Sequence, residues 1–292
     1  MSIKMKKNLC VLIVLTLLVS ACEKMVVNDE DGTNDANVML RIVSYEQASF
    51  PAKTKGSIED VCSRLCFHIY NDVGERVAYV NQKVDGYGFG NAYFTLERGH
   101  YYLIVVGHSA SNNPSFSKNE RVSISGSDLG DTFWCARDLE IGDEAVVEDL
   151  TLNRIVSRIN IIPVDKAPAE MNQMIFSYKG SKGTFDGLTG YGSTNTNQTV
   201  VQDVNSADKQ FGFYMIPSAE KDSIDLAIRT YSVNEKGSAT PLTEKKISRL
   251  PVQRNSVTVC KGNLFDNESS EMLVEIIVRI DDEWGPDIDF PF

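Results

Sequence analysis

The chain has 292 residues, 42% hydrophobic and 24% charged, with 29 Lys and Arg against 40 Asp and Glu for a net charge of −11. That composition excludes a disordered or low-complexity chain and allows a sizeable buried core. Three of the lysines, Lys4, Lys6 and Lys7, precede residue 22, where there is no acid, so the remainder is more acidic still. No basic cluster follows them. Nucleic acid is thereby excluded as a partner, because neutralising phosphates takes clustered Lys and Arg.

An apolar run over residues 9–19, broken only by Thr16, follows the lysines. It is shorter than the roughly 20 residues of a membrane-spanning helix, and residues 1–21 read as a secretory signal peptide. The run ends in Val19-Ser20-Ala21-Cys22. This resembles the bacterial lipobox, in which a signal peptidase recognises the small residues and the Cys is acylated and becomes the mature N-terminus. The resemblance makes Val19, Ser20 and Ala21 the recognition residues and Cys22 the lipidation site. One acyl chain anchors only marginally, at about 0.8 kcal/mol per buried CH₂, whereas two or three hold firmly. Glu23 stands where an inner-membrane retention signal would have Asp, so the outer membrane is the expected address. Residues 22–36 are polar and turn-rich, as a flexible tether would be. Their acids do not make a calcium loop: with Gly32 at the sixth position, Val27 and Val38 fall at the first and twelfth.

Beyond the tether, short alternating stretches dominate. Residues 37–45 read as a strand with Val38, Leu40 and Ile42 on one face. Residues 65–70 and 76–84 form a hairpin around the turn at 71–75, and residues 92–97 and 101–106 a second one around Arg98-Gly99. Val105 and Val106 prolong a nearly continuous apolar run, which marks a central strand. Strands at 133–139 and 144–150 follow. The pattern then restarts at 154–164, with Ile155, Ile159 and Ile161 facing one way and Arg158 and Asn160 the other. Further strands are expected at 173–178, 210–216, 223–231, 244–250 and 256–260. The fold class is all-β, with two tandem β-sandwiches over residues 37–150 and 151–292. After a polar break at 268–271, residues 272–280 alternate again: Val274, Ile276, Val278 and Ile280 oppose Glu275 and Arg279. Such a strand must lie in some sheet, its own or a partner's.

Little in the chain carries catalytic chemistry. His68, His100 and His108 lack metal-ligand spacing, so no metal site is expected and the histidines read as structural. No Gly-x-Ser-x-Gly elbow and no Cys-x-x-Cys occur. The run Gly86-Tyr87-Gly88-Phe89-Gly90 lacks the Lys and the following helix of a phosphate loop, and reads as a loop presenting aromatic rings. Neither an enzyme nor a cofactor is indicated. With Cys22 acylated, Cys62, Cys66, Cys135 and Cys260 remain; Cys62 or Cys66 is placed to meet Cys135 across the first sandwich, leaving Cys260 free. Tyr87, Phe89, Trp134 and Trp284 offer a sugar-stacking surface, with core or interface packing the alternative for Trp134.

Several segments resemble one family throughout. These are Arg64-Leu65-Cys66-Phe67-His68-Ile69-Tyr70-Asn71, Arg98-Gly99-His100-Tyr101-Tyr102, Leu150-Thr151-Leu152-Asn153-Arg154-Ile155-Val156-Ser157-Arg158-Ile159, Arg254-Asn255-Ser256-Val257-Thr258 and Gly262-Asn263-Leu264-Phe265. Together with the lipobox and the acidic end at Asp281-Asp282-Glu283-Trp284, they are similar to the fimbrillin-associated anchor and minor subunits of Bacteroidales type V pili. The resemblance implies two transthyretin-like β-sandwich domains, a lipid anchor in the outer membrane, other pilus subunits as partners, and assembly by strand exchange. Residues 272–280 have the alternation that such a strand requires. Stalk subunits of these systems lose their lipidated segment to cleavage after Arg. Here no Arg lies between Cys22 and Arg41, which favours an anchor. The alternative is a surface lipoprotein or tip adhesin that binds a glycan or host receptor through Tyr87, Phe89 or Trp134.

Overall fold

The computed structural model describes residues 36–45, 57–117, 121–125 and 129–266, and the backbone of Lys24–Met25 and Leu273–Ile277. Every regular element among them is a strand except one 3-10 turn at Ile58–Asp60, started by the Ser57 side chain.

The first ten strands are β1 Lys24–Met25, β2 Val38–Tyr45, β3 Arg64–Asn71, β4 Arg76–Lys83, β5 Asn91–Phe94, β6 Gly99–His108, β7 Ser115–Phe116, β8 Arg121–Ser123, β9 Thr132–Ile141 and β10 Val146–Arg154. An antiparallel sheet runs β4-β3-β6-β9 and faces a second of order β10-β2-β5. Strand β10 turns the corner: Val146–Leu152 pair in parallel with β2, after which Asn153 and Arg154 pair with Trp134 and Phe133 of β9. Leu65, Phe67, Ile69, Leu103 and Val105 fill the core between the sheets. The alternate residues Tyr70, Ile104 and Val106 belong to a different apolar cluster on the outer face of the same sheet. Both faces of this sheet are buried, which is why β3 and β6 read as continuous apolar runs.

The expected hairpin of residues 92–97 and 101–106 does not form. Strand β5 pairs with β2, Val38 opposite Phe94, while β6 lies between β3 and β9 in the facing sheet. Asn37 fixes the crossing: its amide donates to Leu96 O at 2.8 Å and its oxygen accepts from Leu96 N at 2.9 Å. Of the segment expected as a tether, Lys24 and Met25 pair in parallel with Ala78 and Tyr79 of β4.

The later strands are β11 Ser157–Pro163, β12 Gln173–Gly180, β13 Thr184–Asp186, β14 Thr196–Asp203, β15 Phe211–Met215, β16 Lys221–Val233, β17 Ala239–Gln253, β18 Val257–Gly262 and β19 Leu273–Ile277. Sheets of order β15-β11-β18-β19 and β14-β12-β16-β17 enclose a second core that includes Ile159, Phe176, Phe213, Ile228 and Leu250. The two cores are interlocked. Strand β8 pairs with β7 on one side and β13 on the other in a small three-stranded sheet. Beneath it Tyr70, Ile104 and Val106 meet Val122, Ile155, Phe185 and Ile216 in one apolar cluster. Ile155 therefore packs between the cores rather than with Ile159 and Ile161.

All four described cysteines are buried and free, which overturns the expected pairing with Cys135. The register explains it for Cys66. Cys66 lies opposite Val106 and Cys135 opposite Val105, so their side chains point to opposite faces of the sheet. Burial pushes the thiols of Cys66, Cys135 and Cys260 up to about 12 and that of Cys62 higher still. A thiol reagent at pH 8 is expected to leave all four untouched in the native protein and to titrate them all in denaturant. Modification of any of them in the folded state would contradict this packing.

Candidate assembly interface

The junction between the cores is built around Arg154, the last residue of β10. Its side chain is 3% exposed and grips Asp131, with Nε 2.7 Å from Oδ1 and Nη2 3.0 Å from Oδ2. Nη1 donates to Asn255 Oδ1 at 3.1 Å, and the guanidinium lies 4.9 Å from the centre of the Phe133 ring. Asn255 stands at φ 53°, a left-handed conformation that Asn tolerates, and its N–H reaches Val156 O at 2.9 Å. Beside it the Arg254 guanidinium lies against both Trp134 and Tyr191, 5.3 and 4.9 Å from the ring centres. Trp134 donates through Nε1 to Gly187 O at 2.6 Å. Gly190, at φ +72°, passes so close that a Cβ there would stand 2.9 Å from the Trp134 ring. Residues 150–159 and 254–258, about a hundred positions apart, are thus neighbours, and β11 and β18 continue the contact as a parallel pair.

The open edges of the second core differ in how they are guarded. Strand β17 carries Pro241, Pro251, Lys245, Lys246 and Arg249, with register shifts in its pairing to β16. These features discourage another strand from adding. Strand β14 has the sequence TNQTVVQD, with no proline and only Asp203 charged, and it pairs regularly with β12 from end to end. The other sheet ends in β15, of sequence FGFYM, and β19. Strand β19 pairs antiparallel with β18, Val274 opposite Cys260 and Ile276 opposite Thr258, and no described strand lies beyond it.

The anticipated sites are therefore scattered. Val274 and Ile276 lie on the β19 edge, while Val278 and Ile280 are outside the described residues, as are Val19, Ser20, Ala21, Cys22 and Trp284. Of the described aromatics proposed to hold a sugar, only Tyr87 is open, at 74% exposure. Phe89 is 8% exposed and belongs to the first core, so its reading as an exposed ring is corrected. Trp134 is half-buried at the junction, the packing alternative. Among the described residues no group of three or more His, Cys, Asp or Glu is placed to hold a metal. No described helix is long and apolar enough to cross a membrane. No local pattern signals the partnership of Arg154 with Asp131, since a charged residue in a strand ordinarily marks a solvated face.

These features define an all-β protein of interlocked sandwich cores, and solved structures share that fold. An adhesin candidate from Bacteroides ovatus superposes with a TM-score of 0.51 at 10% identity, over 82% of this chain and 92% of that one. One from Bacteroides thetaiotaomicron gives 0.50 at 11% identity, over 84% and 97%. The fimbrial anchor protein Mfa2 from Porphyromonas gingivalis gives 0.46 at 10% identity, over 82% and 96%. No curated protein matches in sequence. The chain belongs to the DUF6562 family, a family of unknown function, whose model matches residues 115–291 and so begins at β7.

Proposed function

We propose that this protein is a fimbrial subunit, held on the outer membrane by acylated Cys22, that anchors its pilus and joins other subunits by strand exchange. It is not an enzyme; its work is backbone pairing. The observation that carries the reading is β19, an alternating strand that follows a polar break and ends its sheet among the described strands. There main-chain hydrogen bonds supply affinity and the alternate side chains supply register. The shared fold with Bacteroides adhesin candidates agrees with a surface role. We assign residues 1–21 to the signal peptide and 37–150 and 151–292 to the two sandwiches. With Phe89 and Trp134 taken up by packing, a glycan platform loses two of its four rings.

The test is Cys22→Ala in the producing cell, with a fatty-acid label. The label is expected to be lost from the protein, and fimbriae to be shed into the medium. Label on the variant, or fimbriae still fixed to the cell, would overturn the anchor.

A further inference from the structure

At the end of the second core, where β17 passes the loop after β18, three side chains of complementary chemistry converge. Lys245 of β17 is only 8% exposed. Its Nζ lies 3.6 Å from Asp266 Oδ1. The other oxygen of that carboxylate, Oδ2, accepts from Asn263 Nδ2 at 3.0 Å. One carboxylate therefore bridges an amine and a side-chain carboxamide. The loop holding two of the three is fixed, because Asp165 accepts from the N–H groups of Leu264, Phe265 and Asp266 at 2.8, 2.7 and 2.9 Å. Leu264 and Phe265, between Asn263 and Asp266, are buried in the core, while the Asp266 side chain is 26% exposed.

We propose that Lys245 and Asn263 form an intramolecular isopeptide bond, with Asp266 as the acid–base catalyst. Asp266 takes a proton from the Lys245 ammonium, and the neutral Nζ attacks Cγ of Asn263. Asp266 then protonates Nδ2, and the Cγ–Nδ2 bond breaks as the tetrahedral carbon collapses. The surplus proton on the new amide nitrogen passes through Asp266 to the leaving ammonia. The balance is one ammonium and one carboxamide giving one secondary amide and one ammonium ion, with no oxidant or cofactor. Fixed neighbours make such a step unimolecular, which is the source of its rate. The bond would tie edge strand β17 to the chain just ahead of β19, so that force on the last strand reaches the core through a covalent link. It does not depend on the fimbrial reading.

Intact-mass measurement of the folded protein tests it. The mass is expected to fall short of the sequence mass by one ammonia, and a digest is expected to yield a branched peptide joining Lys245 to Asn263. Asp266→Asn, which removes the proton carrier, and Lys245→Arg, which keeps the charge without the nucleophile, should each restore the full mass. The Arg variant keeps a cation beside the carboxylate if the Asn variant fails to fold. Full mass in the folded wild type, with the two residues in separate peptides, would overturn the proposal. So would an ammonia deficit that maps to another residue.

Discussion

Replacing Arg154 with Met is expected to lower stability by about 3–5 kcal/mol, because it strands a largely buried carboxylate without its counter-charge. The Asp131 side chain is 17% exposed and receives two charge-assisted hydrogen bonds from this one guanidinium. The same substitution removes the donor to Asn255 and the cation over the Phe133 ring. The loss should fall on the junction and so on both cores, seen as a lower urea midpoint by far-UV dichroism. Adding Asp131→Leu should recover much of it, since a buried pair replaced by apolar groups costs far less than a broken one. A comparison is at hand in Arg41 and Asp149, an ion pair whose side chains are 45% and 51% exposed. Arg41→Ala should cost under about 1 kcal/mol. Equal effects from the two arginines would mean that the junction is not held by charge.

What could be read in advance depended on how many faces of an element are buried. Strands β2, β3, β4 and β6 announced themselves because their apolar residues alternate or run on, and their bounds match to within a residue or two. Strand β14 did not, because it is a polar edge with one face in water. The false hairpin came from a short link between two strands, which ordinarily pairs them. Here Asn37 pins the link to the opposite sheet instead. Phe89 looked exposed within a glycine-rich run. Those glycines, Gly88 at φ +70° and Gly90 at φ +90°, fold the loop back under the Gln82 side chain, which donates to Gly88 O and accepts from Gly90 N. The motifs on either side of Arg154 and Arg254 carried a family likeness, but the contact between them has no local pattern. A hundred-residue closure of the chain leaves no periodicity to find.

Acid is expected to undo the interlock between the cores before it touches most of the carboxylates. His68 and His108 are buried, and burial holds them down to about 3 and about 4, against an ordinary value of 6.5. The Nδ1 of His68 faces the Arg76 guanidinium at 3.2 Å, and that of His108 accepts the Ala110 N–H at 3.2 Å. A proton at either nitrogen meets a cation or breaks a bond. Above pH 6.5 both rings are neutral whether the chain is folded or unfolded, and stability is complete. Below it the unfolded chain gains protons that the native one refuses, so stability falls by roughly 1.4 kcal/mol per pH unit for each ring. By pH 4.5 the two together cost about 5 kcal/mol, a large part of the 5–15 kcal/mol of a typical fold. His100 works in the opposite direction, raised by its hydrogen bond to Asp72. Asp85 and Asp222 lie below their usual range, so their contribution is lost only in stronger acid. The affected contacts are local: His68 stacks on Phe116 of β7, and Ala110 begins the segment that leads to it. Hydrogen exchange at β7, β8 and β13 should therefore quicken between pH 6.5 and 4.5 ahead of β3 and β6. His68→Gln and His108→Gln should flatten the fall of the urea midpoint over the same range, and a wild-type midpoint unchanged down to pH 5 would rule out this mechanism.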